Sequence, residues 1–516
     1  MTLLLALLAT LDAATLDQLA RGDPAQRTGA LAAVVAAGDA QSVPLLQAML
    51  DGRLLLAPQG PPLVLDEAGA LHEAITGAPR NADPDELEKV TVNNRFRREL
   101  QGALRLLALR SDKPAERAEA AAGLEQAGDS DALPAVEAAL QRERDGAARE
   151  ALAAAAASLG LASGDRGKRL AAVAQLQRTP GSSSKRQLVQ RLPAERDPEV
   201  HRAIERALES VEGSLKRAEL FGLVFSGLSL ASILLLAALG LAITFGLMGV
   251  INMAHGELLM IGAYATWLVQ QAFRGSPHFG WYLLAAVPAS FLAAALVGVL
   301  LEIFVVRKLY GRPLETLLAT WGASLLIMQA VRLTFGAQNV EVANPAWLSG
   351  GIALLPGLVV PWNRIAVLAF AGGVLLLVHL LLTRTRLGLL VRAVTQDRQR
   401  AAGLGVATPR IDLLAFALGS GIAGLGGCAL SQLGNVGPEL GQGFIVDSFM
   451  VVVLGGVGQL SGSLLAATVL GILNKLLEPA AGAVLAKIAV LVLVILFIQR
   501  RPQGFFALRR RAMDET

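Results

Sequence analysis

The chain has a single cysteine, Cys428, in 516 residues, and it lies inside an apolar run. Neither a disulfide framework nor a cysteine-based zinc site can be built from it. Histidine is nearly as scarce, with five residues, and His255-x-Glu257 has no second histidine-rich partner to complete a metal centre. No G-x-x-x-x-G-K-S/T string occurs, so the chain carries no P-loop for ATP. Aromatic residues make up only 5%. The formal charge of +4 and isoelectric point near 9.4 would suit nucleic acid, but Lys and Arg are not clustered with aromatics on one domain.

What is abundant is apolar surface: 53% of the residues, with mean hydropathy +0.52. It is unevenly spread. Residues 16–216 are rich in Ala, Leu, Arg, Asp and Glu, as in a soluble helical domain. From Leu220 to Gln499, apolar runs recur at the ~17–25 residues a helix needs to cross hydrocarbon. The fold class expected is all-α: a polytopic helical bundle of eight or nine spans behind a soluble helical domain, with a permease-like part over 217–502 and a basic tail over 503–516.

At the start, Leu3 to Leu8 make residues 1–15 signal-like, although no Lys or Arg precedes the run and the cleavage site is poor; a first amphipathic helix reads equally well. SDKPAERAEAAAGL at Ser111, GDRGKRLAAVAQL at Gly164 and RDPEVHRAIERAL at Arg196 share a polar turn followed by an arginine in an Ala/Leu helix. The spacing fits degenerate HEAT-like helical hairpins, with repeats of ~30–45 residues, serving as a docking surface or as a structural cap. Asp51 to Asp66 breaks the helical pattern with Gly and Pro and reads as an irregular or short extended excursion. Arg178 to Arg186 reads as a loop, and Glu195 to Lys216 as a helix leading to the membrane.

Nine spans are expected, at about 221–246, 252–272, 281–305, 315–335, 364–382, 412–432, 444–458, 462–476 and 483–499. Arg307, Lys308 and Arg312 follow the third, six arginines from Arg384 to Arg410 follow the fifth, and Arg500, Arg501, Arg509, Arg510 and Arg511 follow the last. The intervening junctions are nearly free of base. The positive-inside bias puts the basic junctions and the C-terminus in the cytoplasm, and the N-terminal domain outside. Phe444 to Gly458 is short and reads equally as a re-entrant segment.

Within this apolar half, GVINMAHGELLMIGAY (Gly249 to Tyr264) places Asn252, His255 and Glu257 at membrane depth, where ionisable groups are costly unless paired or wet. Their spacing and Gly249 and Gly256 indicate a broken or bent segment, of the kind that lines transporter pathways or holds a packed, hydrogen-bonded cluster. GSGIAG (Gly419 to Gly424) matches a dinucleotide-binding string but lacks the strand and acidic residue it requires; small residues for close helix packing are the better reading. GGVGQLSGS (Gly455 to Ser463) reads as a tight glycine-lined turn. Thr385 to Asp412 reads as a basic amphipathic helix, broken at Gly403-Leu404-Gly405, exposed for docking a soluble partner or for anchoring.

GVINMAHGELLMIGAY, GLLVRAVTQDRQRAAGLGV and VVVLGGVGQLSG resemble the permeases of branched-chain amino acid ABC importers. Gly311 to Gly351 and GGCALSQLGNVGPELGQGF are similar to the urea-transporting branch of that family, which an extra N-terminal helical domain also fits. The likeness covers about residues 215–510. It implies a bacterial inner-membrane permease with no cofactor and no catalysis of its own. Its partners would be membrane lipid, a second related permease, two ABC ATPase subunits and a periplasmic solute-binding protein. Urea is a small neutral donor and acceptor, so amides, hydroxyls and carbonyls should line its path. Asn252, His255, Glu257, Thr320, Trp321, Gln432 and Asn435 are the candidates, with Arg392, Asp397, Arg398, Gly403 and Gly405 in the ATPase-coupling loop. Branched-chain amino acids or short amides are the alternative substrates, and a membrane-anchored scaffold the alternative role.

Overall fold

The computed structural model describes residues 13–38, 42–57, 60–66, 70–74, 77–80, 83 and 87–506. The signal-like segment, apart from Ala13 to Thr15, and the tail arginines Arg509, Arg510 and Arg511 lie outside the described residues. The chain divides into two compact units, Met1–Leu215 and Lys216–Thr516.

The first unit opens with α1 (Ala13–Arg21), α2 (Pro24–Ala37) and α3 (Ser42–Leu50). A small antiparallel sheet follows, made of β1 (Leu54–Leu56), β2 (Leu63–Leu65), β3 (Leu71–Glu73), β4 (Pro79–Arg80) and β5 (Glu88–Lys89), in the order β4-β3-β2-β1-β5. The expectation of an all-α chain is corrected here. Runs such as Leu54-Leu55-Leu56 are too short for a helix, and one face of the sheet buries Leu55, Leu63 and Leu71 together. Six helices complete the unit: α4 (Asn94–Ala108), α5 (Pro114–Ala127), α6 (Leu133–Arg142), α7 (Gly146–Ala162), α8 (Arg166–Arg178) and α9 (Ser182–Arg191). The predicted loop at Arg178 to Arg186 is therefore partly α9; Ser184 is buried and its hydroxyl donates to Thr179 O at 2.6 Å, closing the turn.

The recurring turn-then-arginine pattern has a physical basis. In the copies at Ser111 and Gly164 the guanidinium donates to the carbonyl six residues back, Arg117 to Ser111 at 2.7 Å and Arg169 to Ser163 at 3.1 Å, as Arg149 does to Glu143 at 3.1 Å. In the copy at Arg196, Arg202 bonds to Pro198 O, four residues back, instead. The aspartates of the same turns cap the following helices, Asp145 accepting from Ala148 N and Asp165 from Lys168 N. Each such cap contributes ~1 kcal/mol.

Helix α10 (Pro198–Met248) begins in the first unit and ends in the second. The second unit continues with α11 (His255–Phe273), α12 (Tyr282–Phe304), α13 (Pro313–Phe335) and a hairpin of β6 (Gly351–Leu355) and β7 (Leu358–Pro361). It ends with α14 (Trp362–Arg384), α15 (Arg386–Gln396), α16 (Arg398–Gly403), α17 (Thr408–Ser431), α18 (Gln442–Gly455) and α19 (Leu460–Arg500). Among the described residues, six helices are long and apolar enough to cross a membrane: those of α10, α12, α13, α14, α17 and α19. Polar residues in its first turn set α11 apart, and α18 has only 14 residues. The last two expected spans are two helical segments of α19 that meet at Gly482 (φ +78°, ψ 162°). The chain folds back there, since Gly462 abuts Gly455 at one end and Phe505 N donates to Leu454 O at 2.8 Å at the other.

Helix α17 is buried along most of its length, whereas α13 and α19 are largely exposed. Small residues let its neighbours approach: a Cβ on Gly419 would stand 2.7 Å from Gly240 O, and Gly424 meets Gly262 at the α11 crossing. GSGIAG is thus a helix-packing surface inside α17, not a phosphate loop. Between α18 and α19, Gly456 (φ +95°) and Gly458 (φ +78°) make the expected tight turn. The junctions gather at two ends. Tyr282, Ala343, Asn363 and Gln432 are bonded together at one end. At the other lie Glu302, Arg307, Arg398 and Asp412, with the basic segments.

Candidate functional site

The site begins where α10 stops. Gly249 takes φ +62°, a left-handed conformation that costs glycine little, and residues 250–254 are not helical. Asn252 Oδ1 accepts from Ala254 N at 3.0 Å, turning the chain into α11. The first residue of α11, His255, donates from Nε2 to Ala237 O at 2.8 Å. Ala237 lies eleven residues before the end of α10, ~16 Å along it at 1.5 Å per residue. The chain has therefore doubled back beside its own helix. Irregular backbone at such a depth is tolerated only inside protein or along a wet cavity, and Asn252 is 1% exposed. The broken segment expected from Asn252, His255 and Glu257 is present, with Gly249 as the break. Gly256 serves instead as a contact point: it abuts Gly441, so the N-terminal ends of α11 and α18 adjoin.

Helix α13 supplies the opposite wall. Its buried face is a stripe of hydroxyls, Thr316, Thr320 and Ser324, at four-residue spacing. Met253 N donates to Thr320 Oγ1 at 3.1 Å, and Ser324 Oγ donates to Glu257 Oε1 at 2.9 Å. The structure thus joins Asn252, His255, Glu257 and Thr320. Ser324 and Thr316 were not singled out from the sequence; hydroxyls every fourth residue in an apolar helix were the available signal. Asn252 Nδ2, His255 Nδ1 and Glu257 Oε2 are buried with no protein partner. Buried polar atoms left so cost ~1–3 kcal/mol each.

The remaining pathway candidates stand elsewhere. Trp321, although adjacent to Thr320, is 53% exposed on the neighbouring face of α13. Gln432 is buried at the other end of the bundle, where Tyr282 donates its hydroxyl to Gln432 Oε1 at 3.2 Å and to Ala343 O at 2.8 Å. Asn435 is exposed in the same junction.

The basic segment forms two short helices rather than one broken only at Gly403-Leu404-Gly405. Asp397 is extended (φ −156°) and caps α16 by accepting from Arg400 N at 2.9 Å. Arg392 is exposed and donates to Leu382 O. Arg398 holds Asp412 with two bonds, 3.1 and 2.5 Å, and lies 4.4 Å from the centre of the Tyr310 ring. The bond to Asp412 raises the Arg398 pKa, while burial, and then the Asp412 charge, push the Tyr310 phenol up. Leu404, at the corner before Gly405 (φ +85°), is 86% exposed.

Comparison with known proteins agrees with this architecture. The profile of the family described as "Branched-chain amino acid transport system / permease component" matches residues 223–499. The chain is 29% identical over 287 residues to the high-affinity branched-chain amino acid transport system permease protein BraD of Pseudomonas aeruginosa, covering 54% of this chain and 93% of that protein. It is 28% identical over 290 residues to LivH of Escherichia coli, with the same coverage. LivM of Escherichia coli is 27% identical over 305 residues, 55% of this chain and 69% of that protein. No solved structure matches the chain. With more than half of its length matched, the chain belongs to the branched-chain amino acid ABC transporter permease family, as a multi-pass membrane transport subunit and not an enzyme.

Proposed function

We propose that this chain lines the translocation pathway of an ATP-driven importer of urea. The observation that carries the reading is the chemistry at the α10–α11 break. An amide, an imidazole, a carboxyl group and two hydroxyls meet there, and among the described residues no Lys or Arg side chain bonds to any of them. Such a set offers donors and acceptors to a small neutral amide without a fixed countercharge. A periplasmic binding protein would deliver the substrate, a second related permease would complete the pathway, and two ABC ATPase subunits would drive it. The exposed Arg392 and Leu404 corner suits docking of an ATPase. The basic junctions put the C-terminus in the cytoplasm and the first unit outside a bacterial inner membrane. The arginine latches of α5, α7 and α8 support a HEAT-like repeat in that unit.

Branched-chain amino acids are a second reading, favoured by what BraD and LivH are named as transporting. The adjoining N-termini of α11 and α18 would suit a carboxylate, because helix N-termini carry partial positive charge. Uptake of labelled urea beside labelled leucine, in cells with and without this chain and its partner subunits, decides between them. Selective loss of urea uptake supports the first reading, and loss of leucine uptake the second. No change in either would overturn both.

A further inference from the structure

The last helical segment sets a cation among apolar residues and bonds it across to α18. Lys487 lies five residues past the Gly482 turn, ~7 Å from that end of the segment, and thirteen before Arg500, ~20 Å from the other. Its partner Asp447 lies eight residues before the end of α18, ~12 Å from it. Lys487 Nζ bonds to Asp447 Oδ2 at 2.8 Å and to Gly443 O at 3.0 Å. A lysine near the end of a span ordinarily stretches its stem to the nearer interface; this one is held against α18 instead.

The two members of the pair differ in exposure. The Asp447 side chain is 10% exposed, and that of Lys487 is 44% exposed. Beside them Gln442 and Gly443 are also exposed. An ammonium has three N–H donors, and the protein takes two of them. Acyl chains have no acceptor for the third, and intramembrane ionisable groups characteristically face a bundle interior or a water-filled cavity. Leu485 is two residues away, at nearly the same depth on the far side of α19, and 60% exposed; it is the kind of side chain that lipid does cover.

We propose that Lys487 and Asp447 line the water-filled pathway and form a substrate station. The third Lys487 donor takes a carbonyl or carboxylate oxygen of the solute, and the free oxygen of Asp447 accepts one of its N–H groups. This rests on the transport reading above but not on which solute is carried. Urea and a zwitterionic amino acid both present that pair of groups.

The single native cysteine makes a clean test. In the assembled importer, reconstituted with its partner subunits and with Cys428, which is 2% exposed, replaced by Ala, Lys487→Cys is treated with a charged methanethiosulfonate reagent. The introduced thiol is expected to react and to be protected several-fold by saturating urea or leucine, while Leu485→Cys stays inert. Protection by one solute and not the other names the source of the oxygen. Gln442→Cys carries the same readout if Lys487→Cys fails to assemble. Lys487→Met should raise the KM for uptake at least tenfold, with partial rescue by Lys487→Arg. A Lys487→Cys thiol that stays inert, or whose rate neither solute changes, overturns the station. Uptake by the unaltered importer in the same vesicles separates the two failures: transport alongside an inert Lys487→Cys thiol removes only this site, whereas no transport of either solute removes the function above.

Discussion

Arg398 and Asp412 are clamped in a two-pronged ion pair, with the carboxylate 1% exposed and the guanidinium 40% exposed. Arg398 opens α16 and Asp412 lies in the first turns of α17, while the Tyr310 ring packed against the guanidinium comes from the α12–α13 junction. One contact thus ties the exposed segment to two separate pieces of the membrane bundle. If α15 and α16 receive the ATPase, as proposed, this pair is the route by which a push would reach the buried α17.

Asp412→Asn should therefore uncouple the machine without unfolding it. The amide keeps one acceptor for Arg398 but loses the charge and one of the two bonds. Substrate-stimulated ATPase activity is expected to fall roughly 5- to 150-fold, the range of ordinary coupling energies, with basal hydrolysis unchanged. ATPase assays in proteoliposomes with and without the binding protein measure it. Full stimulation in the variant would mean that force passes elsewhere.

The Asn252 turn separates transport from packing. Asn252→Leu keeps the volume but removes both the bond to Ala254 N and the unpartnered amide nitrogen. Uptake should drop at least tenfold while assembly stays near normal. Ser324→Ala strips the Glu257 carboxyl group of its hydrogen bond and should lower stability by ~1–3 kcal/mol, which heat-ramped size-exclusion chromatography would detect. Unchanged uptake in Asn252→Leu would make the turn a packing feature only.

Helices and their polar interruptions were legible in the chain because apolar run length and period report directly on membrane burial. The α10–α11 break could be placed because Gly249 and Asn252 are local signals that act on their own backbone. What escaped was relational. Thr320 lines the site and Trp321 does not, a matter of one residue's rotation on α13 that depends on which neighbour packs there. The sheet was legible only in part: the Gly/Pro break at Asp51 to Asp66 allowed for a short extended excursion where β1 and β2 lie, but strands of two or three residues carry no period, and pairings such as Leu55 with Lys89 join residues far apart in sequence. Lys487 was not singled out from the sequence, although it is the one charge in the expected span 483–499, and its partner Asp447 could be assigned only through the fold.

Close glycine contacts predict where added volume is intolerable. At Gly424 a Cβ would stand 2.6 Å from Ala294 Cβ and closer still to Ser290 O. Gly424→Leu should push α12 off α17 and cost at least the ~1–3 kcal/mol of an overpacked core. Gly372 on α14 has nothing within 4 Å of such a Cβ, so Gly372→Ala should behave as the parent. Monodispersity of the two purified variants is the measurement, and equal behaviour would deny that α17 is the packing centre.

Acid should loosen the first unit through Glu143. Its carboxylate accepts from Arg117 Nε at 2.6 Å and from the Arg144 and Asp145 amides, both at 2.9 Å. The Arg117 bond above all, then the Asp145 amide, pull its pKa down to about 2, against ~4.3 for an unfolded glutamate. A depressed folded value means that the stabilisation is complete above the unfolded pKa and is lost as pH falls from there toward the folded one. Hydrogen-exchange protection of α5 to α7 in the full chain should hold from pH 7 to about pH 4.5 and then decline toward pH 2. Glu143→Gln should start lower at neutral pH, because the Arg117 charge loses its partner, and should show a flatter decline over the acid window. Identical pH profiles for the two proteins would remove Glu143 as the acid-sensitive group.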